Sequence, residues 1–195
     1  MAVNLDYPPG ATLLDADELG SLIPGHITNQ GELNEWEQLN ILQGDAWAHK
    51  QQRKDLLDEA FLCQLHRRMF SETWCWAGEF RRSDKNIGVD WLKIGVELRQ
   101  LLDDVRYQIE HTSYPPDEIA VRFHHRLVSI HPFPNGNGSH ARLMADLLAE
   151  RLGQPCFTWG SQSLTDANDT RRHYIAALQA ADARDYEPLL AFARS

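Results

Sequence analysis

The residues best suited to chemistry in this chain lie in one short stretch, His131-Pro132-Phe133-Pro134-Asn135-Gly136-Asn137-Gly138-Ser139-His140-Ala141-Arg142. An imidazole titrates near neutrality and can take a proton as a bond forms. Gly136 and Gly138 permit backbone angles and close approaches that let successive amide N–H groups converge on an anion. Arg142 adds a planar guanidinium whose fork matches phosphate oxygens. The stretch therefore reads as a phosphate site beside a base, in preference to a plain helix-initiating turn.

Two helices must position these groups. Residues 119–130 carry apolar side chains at helical spacing, and Pro132 predicts that this helix ends near His131. Downstream, Ala141, Leu143, Met144, Ala145, Leu147, Leu148, Ala149 and Leu152 predict a largely buried helix that starts at the glycine loop and points its free amides at it. Helical periodicity recurs over 33–52, 57–70, 94–109 and 171–181, whereas strand signals are confined to the stretch around 81–89. The expected fold is mainly α with a short β-hairpin flap over 84–91, and residues 1–24 read as an arm.

Composition narrows the class. The 195 residues, 43% hydrophobic and 24% charged, suit one globular unit with a sizeable core, and the formal charge of −9 argues against broad nucleic-acid binding. No long apolar span and no basic start followed by an apolar run is present, so a membrane helix and a secretory signal are not expected. Cys63, Cys75 and Cys156 are few and unpaired in spacing, as in a reduced, cytoplasmic protein. His124, His125, His131 and His140 lack a familiar metal-ligand spacing, and the six tryptophans read as core and turn residues.

The glycine-loop stretch resembles the Fic/Doc family motif, in words His-Pro-Phe-x-acid-Gly-Asn-Gly-Arg-x-x-Arg. The likeness runs from about residue 55 to the end: Trp74-Cys75-Trp76-Ala77-Gly78 resembles the turn that opens the family's core, and residues 171–190 resemble its terminal helices. This implies a Fic-type helical bundle over 55–195, preceded by an N-terminal arm and helix over 1–54. It also implies transfer of AMP from ATP, with magnesium, to a hydroxyl on a target protein. His131 would be the base. Gly136, Asn137, Gly138, Ser139, Arg142 and Tyr174 would form the nucleotide site, and Lys85, Asn86, Ile87, Gly88 and Val89 the flap that docks the target.

Two positions depart from the family pattern. Asn135 stands where an acid usually holds magnesium, and a neutral amide oxygen is a weaker ligand for that hard cation. Ser139 stands where the first arginine is expected and can offer one hydrogen bond but no charge. Both changes predict attenuated transfer. The pieces around 85–90 and 131–138 also resemble the Fic subgroup called mobile mystery protein B, which often carries the same asparagine. That likeness implies a helix-turn-helix partner regulator and a toxin–antitoxin setting.

Thr28 and Glu32 have the spacing of the family's inhibitory Ser/Thr-x-x-x-Glu motif, although Leu33 occupies the next position. One reading pairs Glu32 with Arg142 in competition with phosphate. The other has Thr28 or Asn29 capping a helix that begins near Glu32. Three functions compete on these residues: an adenylyltransferase, autoinhibited or not and monomeric or homo-oligomeric; a Fic-like transferase of another phosphate-containing group; and a non-catalytic nucleotide-binding or toxin-like module.

Overall fold

A computed structural model describes residues 12–51, 55–161 and 167–195. The first part of the predicted arm, residues 1–11 with Pro8-Pro9-Gly10, lies outside the described residues. The helices are α1 (Ala16–Leu19), α2 (Gln30–Ala48), α3 (Glu59–Phe70), α4 (Ile94–Glu110), α5 (Pro116–Ile130), α6 (Asn137–Arg151), α7 (Ala167–Asp182) and α8 (Glu187–Arg194). The mainly helical expectation holds, with helix ends shifted by a few residues.

Each helix forms where apolar spacing and end signals coincide. α4 buries Ile94, Leu98, Leu101, Leu102 and Val105, one stripe at helical spacing, while Arg99, Gln100, Asp103 and Asp104 face solvent. α5 starts with Pro116 in its first turn, where a missing N–H costs nothing. α6 is buried over most of its length, and Ala141, Met144, Ala145 and Ala149 are inaccessible to water. It is therefore the central helix, packed between α5 and α3, with α2 laid across α3. Leu33 and Ala48 of α2 join the same core as Phe61, Leu62, Leu65 and Met69 of α3. No helix among the described residues is long and apolar enough to cross a membrane.

The flap differs in detail from the expected hairpin. Residues 84–90 form irregular backbone with bends over 86–89 and no paired ladder, and the isolated bridge between Leu22 and Trp74 lies elsewhere. The reason is visible in the hydrogen bonds. The Val89 N–H donates to the Ile130 carbonyl, and the Arg81 N–H to that of Pro132, so this backbone pairs with the segment after α5 and not with itself. Arg81, only 2% exposed, completes the seam.

Candidate active site

His131 is the C-cap of α5, at φ 54° and ψ 61°. The following proline forbids a further helical turn, and histidine tolerates the left-handed region better than most residues. Arg81 fixes the distorted peptide: its Nε donates to the His131 carbonyl at 2.7 Å, and its other nitrogens donate to the carbonyls of Ser83, Val89 and Ile130. The imidazole is 4% exposed. Burial lowers its pKa to about 4, the Val128 carbonyl acting in the opposite direction. At neutral pH the ring is uncharged and keeps one nitrogen unprotonated, the state a general base requires.

The loop after His131 is built locally. Asn137 is buried; its Oδ1 accepts from the Phe133 N–H at 2.9 Å and its Nδ2 donates to the Phe133 carbonyl at 2.8 Å, closing the turn like a clasp. Gly136 caps α6 at φ 75°, and a Cβ there would sit 2.5 Å from the Phe70 ring. Gly138, by contrast, lies within the first turn of α6 and would tolerate a Cβ. The first intrahelical bond runs from His140 N–H to the Gly136 carbonyl, which leaves the amides of Asn137, Gly138 and Ser139 directed outward from the helix start.

These amides open into a cavity of about 740 Å³ that also receives His131, Arg142 and Tyr174. Arg142 is half-buried; its guanidinium donates to Ser139 Oγ at 3.3 Å and stands 5.6 Å from the centre of the Tyr174 ring. The Tyr174 hydroxyl bonds His124 Nε2 at 3.0 Å. The structure thus brings His131, Asn135, Gly136, Asn137, Gly138, Ser139, Arg142 and Tyr174 to one cavity, together with Ile87 from the flap. The four clustered histidines have separate partners: His124 meets Tyr174, His125 meets Asp182, His131 meets Thr12 and His140 meets the Leu62 carbonyl.

Thr28 and Glu32 are brought to each other and not to Arg142. The Thr28 amide and hydroxyl both donate to the Glu32 carboxylate, at 2.7 and 3.1 Å, and hold its pKa below the ordinary range. Asn29 Oδ1 accepts from the Glu32 N–H, which completes an N-terminal cap for α2. Glu32 is exposed and outside the cavity. Of the two readings of these residues the structure has the cap and not the Glu32–Arg142 pair, because the Thr28 amide and hydroxyl already satisfy the carboxylate. The α2 carboxylate that does line the cavity is Glu37. Its Oε1 accepts from the Trp74 indole N–H at 2.7 Å, and burial raises its pKa.

His66 also escaped the sequence reading. Its Nδ1 accepts from the Gly78 N–H and its Nε2 donates to the Asn135 carbonyl, each at 3.0 Å, so one buried neutral ring joins the Trp-Ala-Gly turn to the glycine loop. It stacks on Phe133 with ring centres 3.7 Å apart. Nothing in the sequence spacing signals this link, although a histidine on the apolar face of α3 was a visible hint.

The match to known proteins fits this geometry. Residues 56–149 match the Fic/DOC family model. The chain carries a Fic/DOC domain. It is 29% identical over 136 residues to protein adenylyltransferase fic-1 of Caenorhabditis briggsae, an alignment covering 67% of this chain and 25% of that protein. The corresponding figures for protein adenylyltransferase Fic of Aedes aegypti are 28% over 144 residues, 72% and 28%. The chain thus spans about a quarter of the length of these curated relatives. Among solved structures, BepC of Bartonella tribocorum with bound AMPPNP superposes with a TM-score of 0.66 at 19% identity, covering 92% of this chain and 97% of that one. This Fic/DOC domain therefore shares the helical fold of a nucleotide-bound relative.

Proposed function

We propose that this Fic/DOC protein transfers AMP from ATP to a hydroxyl of a protein. One observation carries the reading: the uncharged His131 ring, the three amides at the start of α6 and the Arg142 guanidinium face one cavity. In the proposed reaction His131 Nε2 takes the hydroxyl proton, the hydroxyl oxygen bonds the α-phosphorus, and the bond from that phosphorus to the β-phosphate bridge breaks, releasing pyrophosphate. The amides of Asn137, Gly138 and Ser139 hold phosphate oxygens without reorganising, and Arg142 holds the outer phosphates. Tyr174 and Ile87 line the cavity, and residues 85–89 around Ile87 would be the edge along which a target segment lies.

Magnesium would screen the triphosphate charge. The donor set suits it only weakly, since Asn135 supplies one neutral oxygen and already accepts from the Gly136 N–H at 2.7 Å. Triphosphate oxygens and water would complete its shell. If α2 restrains the site, Glu37 is the carboxylate placed to do so, and Glu32 acts as a cap. The same neutral Asn135 and the serine at 139 favour, as a second reading, transfer of a different phosphate-containing group.

The test uses ATP labelled separately on its α- and γ-phosphates, with magnesium and a mixture of candidate protein acceptors. Label from the α-phosphate alone, absent with His131→Ala, is the expected result. Label from the γ-phosphate supports the second reading. Nucleotide binding with no transfer of either label supports a non-catalytic module.

A further inference from the structure

The catalytic base already has a hydroxyl against it, and that hydroxyl belongs to this chain. Thr12 Oγ1 lies 2.8 Å from His131 Nε2. Thr12 is 9% exposed and lines the same cavity as the α6 amides and Arg142. With its proton on the other ring nitrogen, the neutral imidazole accepts from this hydroxyl as it would from an incoming substrate.

The arm around Thr12 is held as a docked peptide would be. Burial alternates, Thr12 and Leu14 turned inward and Leu13 and Asp15 outward, which is the pattern of an extended segment laid on a surface. The Leu13 N–H donates to Asn86 Oδ1 at 3.4 Å. Asp15 Oδ2 accepts from Ser83 Oγ at 2.7 Å and from Lys85 Nζ at 2.8 Å, and Glu18 takes a second contact from the same Lys85. The Lys85 side chain is only 2% exposed. The flap residues expected to grip a target therefore grip the chain's own arm, and they do so on the C-terminal side of a threonine that points at the base.

We infer that Thr12 is an intramolecular acceptor of the transferred nucleotide, its arm occupying the groove through which other targets must enter. The inference rests on the adenylyl-transfer reading above. The Thr12 oxygen bonds the α-phosphorus of ATP, its proton passes to His131 Nε2, and pyrophosphate leaves. The product is AMP esterified to Thr12, which breaks the Thr12–His131 contact and so releases the base.

The test is intact-mass and peptide-mapping spectrometry of the full chain after incubation with ATP and magnesium. Wild type is expected to gain one AMP on the peptide carrying Thr12. Thr12→Ser should retain that gain, and both the isosteric Thr12→Val and His131→Ala should lose it. In a mixture, active chain should leave a mass-tagged His131→Ala chain unmodified at Thr12; equal labelling of the tagged chain would overturn the intramolecular assignment. AMP on other residues with Thr12 bare, or an undiminished gain in Thr12→Val, would overturn Thr12 as acceptor and leave the transferase reading standing. ATP bound with no AMP on any residue or added acceptor would overturn both.

Discussion

The glycine loop and the flap meet at His131 but are held in opposite ways. The loop is closed chiefly by residues a few positions apart, Asn137 clasping Phe133 and Asn135 bonding Gly136, and it seats on α3 against Phe70 and His66. The flap is held by long-range polar contacts, Arg81 to the carbonyls of His131 and Ile130 and Lys85 to Asp15 and Glu18. The loop is thus held largely by its own residues, whereas the flap edge depends on a few charged side chains for which, on the proposed reading, an incoming segment can compete. Substitutions should separate the two.

The largest effect belongs to the loop. Gly136→Ala would force a left-handed alanine and drive its Cβ into the Phe70 ring. Left-handed strain and overpacking together should cost about 2–4 kcal/mol and misplace the α6 amides. Chemical denaturation should show that loss, and calorimetric titration should show ATP affinity lost with it. Full stability in this variant would mean that the loop is not locally locked.

Next comes the seam between the two regions. Arg81→Met keeps the buried stem but removes the donors to the His131, Ser83, Val89 and Ile130 carbonyls. Leaving such carbonyls unpaired should destabilise by about 1–3 kcal/mol. Because the same contact fixes the base, AMP transfer should fall by more than ATP affinity does. An equal fall in both would place the damage in the loop and not at the seam.

Acid should act on the loop side, where the buried histidines lie. His66, His124, His131 and His140 all have pKa values pushed below the ordinary 6.5 by burial, His124 and His140 to about 3 and His131 to about 4. The unfolded chain binds these protons more readily than the folded one. Their stabilising contribution is therefore complete above pH 6.5 and lost progressively as pH falls toward about 3. Thermal melts should show the midpoint dropping steadily below pH 6.5. By the same logic the base remains unprotonated between neutrality and its pKa of about 4, so kcat/KM should lack an acidic limb near pH 6.5. A limb at that pH would show the ring to be solvated in the working enzyme.

The local and long-range halves were not equally legible in the sequence. Proline, glycine and apolar spacing located α5, the loop and α6, and with them His131 and Arg142, because those signals act over a few residues, whereas Tyr174 is marked only by the family resemblance. Arg81, beside a second arginine in the sequence, is buried by contacts fifty residues away. His66 joins Gly78 to Asn135, Glu37 reaches the cavity from α2, and Thr12 meets His131 across the whole length between them. None of these pairings leaves a periodic trace. The flap failed as a hairpin for the same reason, since its partner is the chain after α5 and not its own second strand.

The smallest expected effect decides between two glutamates of one helix. Glu32→Gly removes a cap carboxylate bonded to Thr28, which should lower stability slightly and leave transfer unchanged. Glu37→Gln keeps an acceptor for the Trp74 indole while removing a negative charge from the nucleotide cavity. Lower repulsion toward a triphosphate should tighten ATP binding a fewfold, an effect that salt screens. Side-by-side titrations with ATP read both. Were Glu32→Gly to raise transfer while Glu37→Gln did not, the Thr28–Glu32 cap would have to open in solution and Glu32 would have to reach Arg142. The rigid loop would then be regulated from outside the cavity, by a residue that here belongs to the start of α2 alone.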